Sequence, residues 1–246
     1  MGNDESGNYR GTDTYTTQDH HGFVKENFKV LGGLLESRLS EGVLTENCKV
    51  IDVGCATGAL ISYLKGRFPG FHFHGVDISD ELIEIARQKV PEATFDVGSV
   101  FDLPDEGGEK FDVALLIGVL GVFDAAAANQ ALKKLISSVR QGGVIYIFSQ
   151  FNEFDLDVMM KYRRVGSQDA WDGWGVGWNN YSYHTVGAWL EGNCQSHRFI
   201  DFTMPFPLEP KENPIRSWTV DMPDGTRRLT NGLKLLVDLR FLEISV

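Results

Sequence analysis

Long apolar runs are missing from this 246-residue chain, and so is any excess of positive charge. No stretch approaches the roughly 20 consecutive apolar residues that span a bilayer, and the N-terminus, MGNDESGNYRGTDTYTTQDHH, lacks a basic-then-apolar signal pattern. A cytoplasmic protein with no membrane partner is the expectation. With 34 acidic against 23 basic residues the formal net charge is −11. That balance opposes contact with a phosphate backbone, which takes a clustered basic face, so no nucleic-acid partner is expected. Cysteine is scarce as well: Cys48, Cys55 and Cys194 have neither paired nor metal-ligand spacing and read as reduced, small core residues. Only Asp124 and the distant Asp155 supply acids near the ends of the fourth and fifth expected strands, too few for a metal site, and none is expected.

What is present suits an enzyme-sized core. Residues 1–21 are polar and read as a flexible tail, and residues 22–246 as a single domain. Val24, Phe28, Leu31, Leu35 and Leu39 recur at helical spacing. Beyond them strands and helices alternate: CKVIDVG, then ALISYLKGRF; FHFHGVD, then ELIEIARQKV behind a Ser79 or Asp80 cap; ATFDV; KFDVALLI; NQALKKLISSVRQGG; and GVIYIFS. Strands that alternate with helices of this length imply a parallel sheet covered on both faces, joined by right-handed crossovers. After Ser149 the rhythm breaks. Residues 152–183, crowded with Trp171, Trp174, Trp178, Tyr181 and Tyr183, read as a long structured loop, and 205–232 as a second insertion on the substrate side. Ser182 caps a further helix; HRFIDFTM and LKLLVDLRFLEISV are the last two long strands, with a Pro223–Asp224–Gly225 turn between two short ones.

The stretch VIDVGCATGAL decides the chemistry. A ligand bound across the carboxyl edge of a sheet approaches the backbone closely, so side chains there must be small, as at Gly54, Ala56 and Gly58. A dinucleotide site wants G-x-G-x-x-G with a pyrophosphate on the helix end. Here Asp52 stands inside the loop, where it repels a diphosphate and attracts an ammonium group.

Asp52-x-Gly54-x-Ala56-x-Gly58 resembles motif I of the class I S-adenosylmethionine-dependent methyltransferases, with Ala56 in place of the middle glycine. HGVDIS resembles the end of that family's second strand, where an acid, here Asp77, binds the ribose hydroxyls. FDVGSVFDLP resembles the adenine-binding segment, but Ser99 stands where an acid is usual, and Asp96 is the substitute to consider. KFDVALLIGVLGVFD resembles the fourth strand and its loop, with Gly121 and Val122 where many relatives carry Glu-His. The resemblance runs from about residue 48 to 150 and implies an α/β, Rossmann-like, doubly wound, mostly parallel sheet of seven strands with helices on both faces. The implied order is 3-2-1-4-5-7-6, with the last strand antiparallel.

The cofactor it implies is S-adenosylmethionine, leaving as S-adenosylhomocysteine, held by Asp52, Gly54, Cys55, Ala56, Gly58, Asp77, Ile78, Ser99, Val100 and Ile117. The implied partner is a small polar methyl acceptor, methylated at oxygen and similar in class to glycan or natural-product intermediates, and the protein a monomer or homodimer. Tyr15, Arg163, Trp178 and Asn179 are the candidate acceptor contacts, and His184 the candidate base. His20 and His21 are further candidates in the tail. A protein that binds the cofactor without catalysis, as a sensor or assembly partner, is the alternative; an aminopropyltransferase or oxidoreductase on the same sheet is a third reading.

Overall fold

The protein is described here from a computed structural model, which covers residues 24–103, 110–163, 165, 173–210 and 216–246. The expected tail, with Tyr15, His20 and His21, lies outside them, as do Trp171 and parts of both expected insertions.

Helix α1 (Glu26–Ser40) leads into β1 (Lys49–Val53), α2 (Ala59–Arg67), β2 (His72–Asp77), α3 (Asp80–Lys89), β3 (Thr94–Val97), β4 (Phe111–Ile117), α4 (Ala125–Ser138) and β5 (Val139–Asn152). The short β6 (Lys161–Tyr162), β7 (Gly175–Val176) and β8 (Tyr181–Ser182) precede α5 (Tyr183–Leu190). The chain closes with β9 (Ser196–Asp201), β10 (Trp218–Asp221), β11 (Arg227–Thr230), β12 (Leu236–Val237) and β13 (Leu239–Ser245). The main sheet runs β3-β2-β1-β4-β5-β13-β9, with β13 antiparallel to both neighbours, and β8 adds an eighth strand beside the end of β5. In order of appearance the seven long strands read 3-2-1-4-5-7-6, as expected.

Both faces are covered because the strand residues alternate between two cores. Val50, Leu115 and Tyr146 face α1, α2 and α3 through Leu35, Leu64 and Ile83, while Ile51, Ala114, Ile145 and Ile147 face α4 and α5 through Leu132, Leu135 and Val186. Each such aliphatic side chain contributes about 1.5–3 kcal/mol when fully buried. The helix caps follow the sequence: Ser79 Oγ accepts from Leu82 N–H at 3.3 Å, and Ser182 Oγ from Thr185 N–H at 3.1 Å.

Three local expectations change. Helix α4 stops at Ser138 rather than at Gly142 or Gly143. Val139, β-branched and apolar, pairs with Phe111 instead, and the register shifts so that Val113 meets Val144. Arg140, on the displaced residues, donates to Asp112 Oδ1 at 2.5 Å. Second, the run LKLLVDLRFLEISV divides at Asp238 between two sheets: β12 completes a small sheet with β10 and β11, and β13 enters the main one. Third, the stretch expected as loop after Ser149 contains a hairpin of β6 with β7 and a bridge between Val158 and Asn180.

A buried ion cluster fastens α1 to the far strand. The Glu243 side chain, 3% exposed, accepts from Arg38 at both oxygens, and from Arg198 Nε at 2.8 Å. Burial raises the Glu243 carboxyl, but the hydrogen bonds from Arg198 and Arg38 outweigh it and leave it below the usual range. A carboxyl lowered in this way stabilises the fold above its unfolded pKa and loses that contribution as pH falls. Removing Arg38 leaves a buried charge half-compensated, so Arg38→Ala is expected to cost about 3 kcal/mol in urea unfolding at pH 7. The difference from wild type should shrink below about pH 4. An Arg38→Ala cost under about 0.5 kcal/mol would show the cluster to be solvent-screened.

Candidate active site

The site forms where β1 and β4 end and their following loops part. Gly54 turns the chain at φ +79°, and a Cβ there would lie 2.4 Å from Val119 Cγ2, so only glycine fits. The N–H groups of Gly54 and Cys55 both donate to Val76 O, at 2.7 and 3.1 Å, tying the turn to β2. Ala56 follows at φ +49°, a left-handed conformation that costs an L-residue about 1–2 kcal/mol. Ala56 thus holds a conformation suited to the glycine it replaces. Its N–H donates to Asp77 Oδ2 at 2.9 Å, and Ser79 N–H donates to Asp77 Oδ1 at 3.0 Å.

Beside this turn lies a cavity of about 260 Å³, just below the roughly 300–1,000 Å³ usual for small-molecule sites. Of the ten expected cofactor residues it brings together Gly54, Ala56, Asp77, Ile78, Ser99, Val100 and Ile117. The other three support the wall without lining it. A Cβ on Gly58 would come 3.2 Å from Phe95 Cζ, and Cys55 is buried in the same core as Phe95, where burial pushes its thiol up. Asp52 is 2% exposed and precedes Val53, which does line the cavity. Residues not anticipated from sequence complete the wall, chiefly Leu82, Gly118, Val119, Val122 and Phe123. Their signal was only proximity to the motifs, since Val119 to Phe123 follow β4 in the loop.

The lining fits a nucleoside with an attached amino-acid tail. Each Asp77 oxygen is engaged by a single N–H, which leaves each a lone-pair direction for a hydroxyl of a ribose. Ile78, 57% exposed, offers an apolar surface beside it, and Leu82, Val100 and Phe123 extend that surface. At the expected adenine-side position, Ser99 Oγ accepts from Phe101 N–H at 3.2 Å and Ser99 N–H donates to Asp102 at 2.8 Å, a capping box. Asp96 does not replace the missing acid: it faces outward, 3.6 Å from His74 and 4.0 Å from Arg87.

The acceptor-side candidates scatter. Asn179 is buried and spent within the chain, donating from Nδ2 to Phe123 O at 2.8 Å and accepting at Oδ1 from Met160 N–H at 2.9 Å. Its backbone N–H donates to Gly121 O at 2.9 Å, and a Cβ on Gly121 would come 3.3 Å from Asn179 O. A side chain at Gly121, where many members of the resembled family carry Glu, would press on the Asn179 carbonyl. Trp178 is half-buried at φ +63°, Arg163 is exposed with its guanidinium 5.3 Å from the Trp174 ring, and none of the three lines the cavity. His184 is exposed on α5, beside Asp157, also outside the cavity. Among the described residues no three His, Cys, Asp or Glu gather as a metal site, and no helix is long and apolar enough to cross a membrane.

Comparison with known proteins agrees with this geometry. Residues 50–143 match the family described as methyltransferase domain. The chain is 29% identical over 122 residues to trans-aconitate 2-methyltransferase of Paracidovorax citrulli, a match covering 50% of this chain and 46% of that protein. It thus spans about half the length of the curated relatives it matches. A solved S-adenosylmethionine-dependent methyltransferase from Clostridium acetobutylicum superposes with TM-score 0.57 at 12% identity, covering 92% of this chain and 93% of that one. An amino pentose methyltransferase from Micromonospora echinaspora gives 0.56 at 14%, covering 97% and 96%. Residues 50–143 are thus similar to a methyltransferase domain, and the fold is the Rossmann-like one of solved S-adenosylmethionine-dependent methyltransferases.

Burial, and then the neighbouring Asp77 charge, push the Asp52 carboxyl up to about 7. Because the folded protein then binds a proton that the unfolded chain has released, this group's contribution to stability falls as pH rises from about 4 to about 7. Asp52→Asn should therefore raise stability at pH 8 by on the order of 3 kcal/mol and flatten the pH profile across that window in thermal unfolding. A variant no more stable than wild type at pH 8 would contradict the assignment.

Proposed function

We propose that this protein transfers a methyl group from S-adenosylmethionine to a small polar acceptor, at oxygen. The observation that carries the reading is Asp77: a carboxylate in the cavity wall, fixed by two backbone N–H groups and left with acceptor capacity. The name of the trans-aconitate relative, a methyltransferase of a small acid, supports the acceptor class.

The bound cofactor supplies an electrophilic methyl group on a sulfonium, and transfer is an in-line displacement. What the chain does is position and exclude water. Asp77 orients the ribose, Ile78 and Val100 cover the base, and Gly54 and Gly118 admit close approach to the backbone. Asp52, behind the wall, would attract the ammonium of the amino-acid tail, and the approach of that cation would draw its raised carboxyl toward the ionised form. For an acceptor hydroxyl seated over α5, His184 is the proposed base. We further propose a single domain over 22–246 with acceptor contacts on its two insertions, Arg163, Trp178 and Asn179 shaping that side, and a cytoplasmic monomer or homodimer.

Isothermal titration with S-adenosylhomocysteine tests the cofactor assignment. Asp77→Ala should weaken binding by about 10- to 100-fold, the scale of lost hydrogen bonds to a charged group. No heat from the wild-type protein with either substrate or product form of the cofactor would end the proposal. Ser99→Asp retains a good cap and adds a stronger acceptor, so it should tighten binding by several-fold; weaker binding would remove Ser99 from the adenine side. A cofactor-binding protein without catalysis would bind normally yet turn over none of a panel of sugars, acids and phenols.

A further inference from the structure

One backbone carbonyl in the cavity wall receives two buried side-chain hydrogen bonds. Phe123 O accepts from the Tyr181 hydroxyl at 2.6 Å and from Asn179 Nδ2 at 2.8 Å, and both donor residues are buried. The donors stand two residues apart where the chain enters β8 beside Phe151, and side chains two apart in extended backbone project to the same side. Each donor is braced in turn. The Tyr181 ring lies edge-on to Trp189 of α5, with centroids 5.0 Å apart. Asn179 Oδ1 accepts from Met160 N–H, and its backbone N–H donates to Gly121 O. Burial holds the Tyr181 phenol above its ordinary range, so the hydroxyl keeps its proton and stays a donor. One bond satisfies a buried carbonyl; a second from another direction fixes where the residue sits.

The residue so fixed faces the ligand space. Phe123 lines the cavity with Val119 and Val122, and its ring lies 5.4 Å from that of Phe101, edge to face, on the expected adenine side where Ser99 and Val100 stand. On the local side its N–H donates to Leu120 O at 3.2 Å, and the next residue, Asp124, caps α4 by accepting from Ala127 N–H at 2.8 Å. The carbonyl between these two local ties is the point that the stretch after β5 grips. Neither Tyr181 nor Asn179 lines the cavity, so whatever they do to a ligand passes through Phe123.

We propose that Tyr181 and Asn179 are positioning residues of the cofactor site: they hold the Phe123 ring in the wall against which S-adenosylmethionine binds. This rests on the methyltransferase reading above and extends its site to residues that never touch the ligand.

Titration calorimetry with S-adenosylhomocysteine, run well below the unfolding temperature of each variant, tests the assignment. Tyr181→Phe keeps the ring and leaves Asn179 to satisfy the carbonyl; it should weaken binding about three- to tenfold, the scale of one hydrogen bond. Asn179→Ala, which also strands Met160 N–H, should weaken it at least as much. Arg38→Ala loosens the fold at the distant Glu243 cluster and should stay within about twofold of wild type, because lost stability alone does not change affinity while the protein remains folded. In a Phe123→Leu background the ring is gone, and adding Tyr181→Phe should cost less than about twofold more. Unchanged affinity in Tyr181→Phe overturns the proposal. So does an equal loss from Tyr181→Phe in both backgrounds, or an equal loss in Arg38→Ala. These outcomes leave the methyltransferase reading standing; a wild-type protein that does not bind S-adenosylhomocysteine sinks that reading and this inference with it.

Discussion

The site depends on a tie between two loop ends. The turn after β1 is held to the end of β2 by Gly54 and Cys55 on Val76 O and by Ala56 on the Asp77 carboxylate. These bonds fix a left-handed turn that a free chain avoids, and they aim Asp77. The same carboxylate therefore serves the fold and faces the cavity, which is why its surroundings are so crowded with backbone donors. Asp52 carries the opposite consequence, a second acid close by that the fold holds at the cost of its own charge.

The sheet was legible because its evidence was local and repeated. Short apolar runs, each closed by a glycine or an acid and followed by a helical period, fixed strands β1 to β5 and their parallel sense, and the resemblance supplied the placement of the last two. Seven of the ten cofactor candidates line one cavity for the same reason: they lie at strand ends, and strand ends in such a sheet converge.

What stayed hidden required contacts between distant segments. That α4 yields to β5 at Val139 depends on the pairing of Val139 with Phe111, which no helix propensity contains. Asn179 looked like a polar contact for an acceptor, yet its amide is consumed by Phe123 and Met160. Gly121 looked like a lost functional side chain, and the structure sets the carbonyl of Asn179 3.3 Å from where its Cβ would lie.

The hook made by Asn179 also sets a boundary for redesign. The segment from Asn152 to Ser182 is pinned at Val158–Asn180 and at Asn179–Phe123, and Phe123 belongs to the wall that the cofactor is proposed to meet. Whatever reshapes this flap pulls on the floor beneath it. A replacement for the described part of this segment has to carry the asparagine along, or changes made on one side of the wall will shift Phe123 on the other.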